Sequence, residues 1–319
     1  MRSARAVLAV VLFVGAVAAH AQTLRIMVGF PPGGTTDVLA RVFAEKLSEA
    51  LGRPAIVENR PGGSGRIAIV ALKASAPDGN TLMIVPDSAI TLFPHTVDTP
   101  PYDTLNDFVP VAHVGSFETG LAIAPNVPAN DLKEWIAWIK ADRKRAVYGS
   151  PSAGSNQHFL GFMLGEAIGV PLNHIAYKGI GPTINDLMGG HVPAAMLPMA
   201  QVAPMAKAGK LRALGHSGGE RVPTAPEVPT FKELGFPALT LSGWYLIIAP
   251  AGVRPDIVAR YNELVNQAMR TQVVRERMRS QDLEVHEMAP AQIAARLKTE
   301  YDRWAPVVKA SGFKTTPGL

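Results

Sequence analysis

Short apolar runs alternate with longer amphipathic stretches along most of the chain. Leu24 to Phe30 is a compact apolar run ended by Pro31-Pro32-Gly33-Gly34, and it reads as a strand running into a turn. Beyond it, Val38, Leu39, Val42, Phe43, Leu47, Ala50 and Leu51 fall on one stripe at helical spacing, stopped by Gly52 and Pro54. Thr35 or Thr36 is placed to cap that helix, with Asp37 in its first turn against the positive end of the dipole. Ala55 to Glu58 and Thr81 to Val85 read as further strands, with a helix over Ile67 to Ala74 between them. Strands that alternate with helices predict a parallel sheet covered by helices.

The pattern then starts again. Leu121 to Ala124, Val147-Tyr148, Asn173 to Tyr177, Ala194 to Leu197 and Leu211 to Gly215 read as strands. Helices are predicted over Leu132 to Ala141, over His158 to Ile168 and from Thr183. Trp244 to Ala249 is one more strand, followed by a helix from Pro255 and a last one over about 291–310. Two such blocks, with a strand and helices left over, predict two interleaved lobes. The first is discontinuous, 22–120 with 243–319, and the second is 121–242. Ligands of open α/β sheets sit beyond the carboxyl ends of the strands, which places the expected site in the cleft between the lobes.

The first 21 residues break the alternation. Arg2 and Arg5 precede an apolar run from Ala6 to Ala19, and Ala19-His20-Ala21 is a small-residue cleavage signal. The run is shorter than the roughly 18 to 20 residues a membrane span needs. The segment reads as a signal peptide cleaved after Ala21, and the mature protein is expected in the periplasm. The chain of 319 residues contains no Cys, which excludes disulfides, thiolate metal sites and a Cys nucleophile. Its formal charge of +5 is small and dispersed, so nucleic acid is not an expected partner.

Two small-residue loops carry the candidate chemistry. Gly33-Gly34-Thr35-Thr36-Asp37 opens a helix whose free amides and hydroxyls suit an anion, and it also reads as an ordinary strand–helix turn. It lacks the Lys of a phosphate-binding Walker loop. Ser150 to Asn156 offers a second set of hydroxyls and backbone donors. His158 is a conceivable base for Ser155, but no acidic orienter accompanies it and Gly-x-Ser-x-Gly is absent. Gly63-Ser64-Gly65-Arg66-Ile67-Ala68 matches a weak dinucleotide spacing, with Asp87 downstream, in which Pro61 and Arg66 sit awkwardly. The His residues are scattered, so neither a metal nor a cofactor is expected. Lys178, in Tyr177-Lys178-Gly179-Ile180-Gly181, either brings a cation to the cleft or sits solvated on a turn.

Several segments together resemble one family. These are Ile26 to Asp37, Val57-Glu58-Asn59-Arg60-Pro61-Gly62, Pro77-Asp78-Gly79-Asn80-Thr81-Leu82, Tyr177 to Pro182, Asp186-Leu187-Met188-Gly189-Gly190, Gly209 to Leu214, Val228 to Glu233, and Trp244-Tyr245 with Ala249 to Pro255. They are similar, in order and over essentially the whole mature chain, to the Bug family, the extracytoplasmic substrate-binding proteins of tripartite tricarboxylate transporters. The resemblance implies an α/β two-lobe periplasmic-binding-protein (Venus-flytrap) fold, each lobe a sheet flanked by helices. It implies a non-catalytic receptor, expected to be monomeric, that captures a small carboxylate. Its partners would be the membrane permease subunits of such a transporter or, in a sensory role, a sensor-kinase ectodomain. The loops implied to hold the carboxylate match Phe30 to Asp37 and Ser150 to His158. The expected ligand-binding residues are therefore Phe30, Pro32, Gly33, Gly34, Thr35, Thr36, Asp37, Asp87, Ser150, Gly154, Ser155, Asn156, His158, Tyr177, Lys178 and Gly179. The chain departs from the family where Arg66-Ile67-Ala68 replaces a frequent Asn-Ile-Gly, and where Asp87 stands in place of a small polar residue. If both charges border the cleft, Arg66 would meet a second anionic group and Asp87 an amine; otherwise they pair with each other or face water.

Overall fold

A computed structural model describes residues 22–315; the expected signal peptide lies outside the described residues. In chain order the elements are β1 (Leu24–Val28), α1 (Thr35–Leu51), β2 (Ala55–Asn59), α2 (Arg66–Lys73), β3 (Thr81–Pro86), α3 (Ser88–Thr91), β4 (Phe108–Phe117), β5 (Thr119–Ile123), α4 (Leu132–Ala141), β6 (Val147–Ser150), α5 (Asn156–Ile168), β7 (Asn173–Ala176), α6 (Ile180–Met188), β8 (Ala194–Pro198), α7 (Met199–Lys207), β9 (Arg212–His216), β10 (Gly243–Pro250), α8 (Pro255–Arg270), α9 (Gln272–Ser280) and α10 (Pro290–Ser311). They build two five-stranded sheets, ordered β2-β1-β3-β10-β4 and β7-β6-β8-β5-β9.

The two sheets share one plan. In each, three parallel strands are followed by one antiparallel strand, β10 in the first and β5 in the second, and then by a fifth, β4 or β9, that pairs antiparallel with the fourth and runs in the direction of the first three. The fourth strand of each is the first to arrive after the chain has visited the other sheet or crossed from it. β1 buries alternate residues on opposite faces. Leu24, Ile26 and Val28 meet Leu39, Phe43 and Leu47 of α1 and Val258 and Leu264 of α8, while Met27 faces the cluster containing Ile69 and Leu72 of α2. A sheet covered on both faces requires near-continuous apolar strands, which is what the sequence supplies. Each Leu or Ile so buried contributes about 1.5–3 kcal/mol.

The chain crosses between sheets at Glu118 and again just before β10. The Glu118 carboxylate accepts hydrogen bonds from Ser242 Oγ at 2.6 Å and Ser217 Oγ at 3.1 Å, which ties the two crossings together. Helix α10 is a third connection. Its Ile293 and Leu297 pack in a cluster of the first sheet, whereas Trp304 and Val308 belong to the core of the second.

Two local expectations change. The residue before α1 is Gly34, in extended conformation and with no side-chain cap, so both Thr35 and Thr36 are already helical rather than capping. Strand β4 was not expected at all, because Pro110, His113 and Gly115 interrupt the apolar pattern. β4 lies at the edge of its sheet, where a residue without an N–H is tolerated.

Candidate functional site

Several helices from the two sheets begin at one cavity of about 500 Å³, and three of them do so through small-residue loops. Gly34, Thr35 and Thr36 bring the start of α1, Gly154, Ser155 and Asn156 that of α5, and Gly179, Ile180 and Gly181 that of α6. The first amides of a helix have no intrahelical partner and carry the positive end of its dipole. Neither α1 nor α6 has a side-chain cap. α5 is capped by Ser155 Oγ, which accepts from His158 N–H at 3.3 Å. Aromatic rings complete the walls: Phe30, Phe93, Phe117 and Tyr245. Burial raises the Tyr245 hydroxyl above its ordinary range, so it stays neutral and able to donate. Among the described lining residues the charged side chains are Arg66 and Lys178.

The cavity is crossed by contacts between the two lobes. Ser64 Oγ, from the first, lies 3.4 Å from Ser152 Oγ of the second. Asn156 Nδ2 donates across to Asp87. The volume lies within the range of about 300–1,000 Å³ usual for small-molecule sites.

Of the sixteen expected site residues, Phe30, Pro32, Gly34, Thr35, Thr36, Gly154, Ser155, Asn156, Lys178 and Gly179 line this cavity. The other six do not line it and are held by protein partners. Gly33 gives its N–H to Asp37 Oδ2 at 3.0 Å. Asp37 turns away from the cleft to receive Arg41 and Asn59. Burial works to raise its carboxyl, but those three partners outweigh it and hold the group at about 2. Asp87 is buried and accepts Trp244 N–H at 3.0 Å as well as the Asn156 amide. Burial pushes its carboxyl up to about 7, an effect the bond from Trp244 opposes and Glu300 reinforces.

Ser150 is buried, 2.7 Å from His174 Nε2. His158 stacks on His174 at 3.8 Å between centroids, and its Nδ1 accepts the Gly154 N–H at 3.1 Å. Burial lowers His158 to about 4, so the ring is neutral and keeps that acceptor. It braces the loop and is not turned to Ser155, whose Oγ donates to Ser152 O at 2.7 Å. Tyr177 donates its hydroxyl to Asp186 at 2.9 Å. The two unusual charges do not pair. Arg66 lines the cavity with its guanidinium 4.6 Å from the Phe93 ring centroid, while Asp87 lies behind the wall.

Sequence reasoning missed Ser64, Phe93, Phe117 and Tyr245 as lining residues. Ser64 carries a signal in its Gly-rich surroundings. The aromatic residues carry none, since an aromatic side chain in an apolar run reads as core.

Two α/β lobes, joined by tied crossings and enclosing a cavity at helix N-termini, define a solute-binding protein of the periplasmic receptor class. The chain belongs to the tripartite tricarboxylate transporter family receptor group (TctC), whose family model matches residues 39–313. It is 36% identical over 299 residues to Protein BugT of Bordetella pertussis, covering 92% of this chain and 90% of that protein. Among solved structures it is similar to Rpa4515 of R. palustris with adipate, at 27% identity and a TM-score of 0.83, over 92% of this chain and 98% of that one. It is also similar to MatC from Rhodopseudomonas palustris with bound malate, at 27% identity and a TM-score of 0.79, over 90% and 98% respectively. Members of the family are periplasmic solute-binding receptors. No helix among the described residues is long and apolar enough to cross a membrane.

Proposed function

We propose that this chain captures a small carboxylate in the cleft and hands it to the membrane permease subunits of a tripartite tricarboxylate-type transporter. The observation that carries the reading is the convergence of α1, α5 and α6 on one cavity whose only charged lining side chains, among the described residues, are cations. Uncapped helix N-termini favour an anion by both hydrogen bonds and dipole. A carboxylate would sit at the α1 and α5 starts, received by backbone N–H groups and by the Thr35 and Thr36 hydroxyls. The malate bound to MatC and the adipate with Rpa4515 support this ligand class.

The protein acts as a monomer in the periplasm after cleavage behind Ala21, with 22–120 and 243–319 as one lobe and 121–242 as the other. It binds and releases without catalysing. Thermal-shift screening of residues 22–319 against mono-, di- and tricarboxylates, amino acids and aromatic acids tests this. A ligand at 100 times its Kd stabilises the folded state by about 2.7 kcal/mol. If no acid shifts the melting temperature while simple amines or sugars, run as a second panel, do, the reading is overturned.

A further inference from the structure

Arg66 is poorly placed for an arginine that only serves the fold. It is the first residue of α2, where a cation opposes the helix dipole, and the first turn carries neither an acidic residue nor a side-chain cap. It is half-buried, and burial lowers its pKa, with only the neighbouring Tyr102 acting the other way. Among the described residues no carboxylate pairs with it. A half-desolvated guanidinium without a counter-ion is costly, and such cations in proteins are ordinarily paired. What holds it is the face of Phe93, 4.6 Å from the guanidinium carbon, which leaves its N–H donors in the plane of the fork unclaimed by any carboxylate.

The rest of the wall gives the ligand's shape. The α1 and α5 starts open into the same cavity that Arg66 lines. Phe30, Phe93, Phe117 and Tyr245 make apolar surface within the same cavity. We infer that Arg66 is the specificity-determining residue of this cleft, selecting ligands that carry a second anionic group across an apolar spacer. This rests on the carboxylate reading above and names the ligand class within it: a diacid with an aliphatic or aromatic middle rather than a monoacid. Asp87 has no matching role toward an amine, because it stands behind the wall with its oxygens taken by Trp244 and Asn156.

The experiment compares acids that differ by one carboxylate, hexanoate with adipate and benzoate with isophthalate, by calorimetry on residues 22–319. The readout is the ratio of monoacid to diacid Kd, which a general loss of structure does not move. The native protein is expected to favour the diacid by about ten- to a hundredfold, the span of one charge-assisted contact. Arg66→Gln should bring the ratio close to one, the diacid Kd rising far more than the monoacid Kd. Arg66→Lys, which keeps the charge but loses the planar fork, should retain a few-fold preference. A native protein that does not distinguish the members of any pair overturns the inference. So does an Arg66→Gln variant with an unchanged ratio, or one that weakens both members equally. Binding of no acid in either pair, with binding of other solute classes, overturns the carboxylate reading itself, and the inference falls with it.

Discussion

The side-chain amide of Asn156 donates to both carboxylate oxygens of Asp87, at 3.1 and 3.2 Å, from one lobe to the other. A carboxylate can only accept, so this pairing fixes which way the amide points. The same carboxylate accepts the Trp244 N–H on β10. One buried group thus joins the end of β3, the start of α5 and the return strand beside the ligand cavity. Replacing Asp87 by Ala leaves two buried donors without a partner. Equilibrium denaturation should show a loss of about 1–3 kcal/mol for each of them. A variant as stable as the native protein would mean that the bond between the lobes contributes nothing.

The buried titratable groups give a pH dependence whose sign can be worked out. Asp87 and Glu118 are both raised to about 7 by burial. Their contribution is fully present below about pH 4 and is lost as pH rises through 7. His113, His158 and His216 are lowered to about 4, and His174 to about 3, chiefly by burial. Theirs is present above about 6.5 and is lost as pH falls through 4. Between pH 6.5 and 4 the two sets oppose each other, and the histidines outnumber the acids. Denaturation midpoints should therefore fall on acidification across this window. In Asp87→Asn one opposing acid is gone, so the fall should be steeper; a shallower one contradicts the assignment.

Gly34 and its neighbour Gly33 should respond differently to a side chain. Gly34 is extended, with φ −77°, and an added Cβ would meet only Pro31 O at 3.9 Å. Gly34→Val should fold normally yet bind no carboxylate, because the added methyls fill the space in front of the α1 amides. Gly33 has φ +89° and does not line the cavity. Gly33→Ala should cost about 1 kcal/mol of stability and leave affinity nearly intact. Calorimetry together with denaturation separates the two outcomes, and a Gly34→Val protein of native affinity would remove this loop from the site.

Trp304 is buried in the core of the second sheet, on a helix that begins on the first. Trp304→Ala should cost about 3–5 kcal/mol by the cavity it leaves. Since α10 connects the two cores, scanning calorimetry should also show a broader or more divided unfolding transition than the native protein gives. A sharp transition displaced by less than a few degrees would contradict that coupling.

The fold was legible where burial on both faces demands unbroken apolar strands. β1, β3 and β8 have such a pattern, and the turns after them are marked by Gly and Pro. β4 was hidden because an edge strand tolerates the Pro110 that argues against a strand elsewhere. The candidate site was legible at the level of loops, since the small residues ahead of α1 and α5 do line the cavity. Which side chains line it was not. Asp37 sits in the right loop but has Arg41 one turn along the helix, and that local partner turns it away. Tyr245 and Phe117 reach the cavity only through the pairing of β10 with β4, a contact between distant segments that no local pattern encodes.

The position of α10 also bears on the order in which the chain can finish folding. Emerging from its amino end, the molecule delivers β1 to β4 and then all of β5 to β9 before β10, the strand that fits between β3 and β4. The core of the second sheet still lacks Trp304 and Val308 at that stage. The first sheet thus gains its fourth strand, and the second core its last two large side chains, only from segments made after the whole second sheet. Each half is completed by residues that the ribosome adds late, so a carboxyl-terminal truncation removes core from both at once.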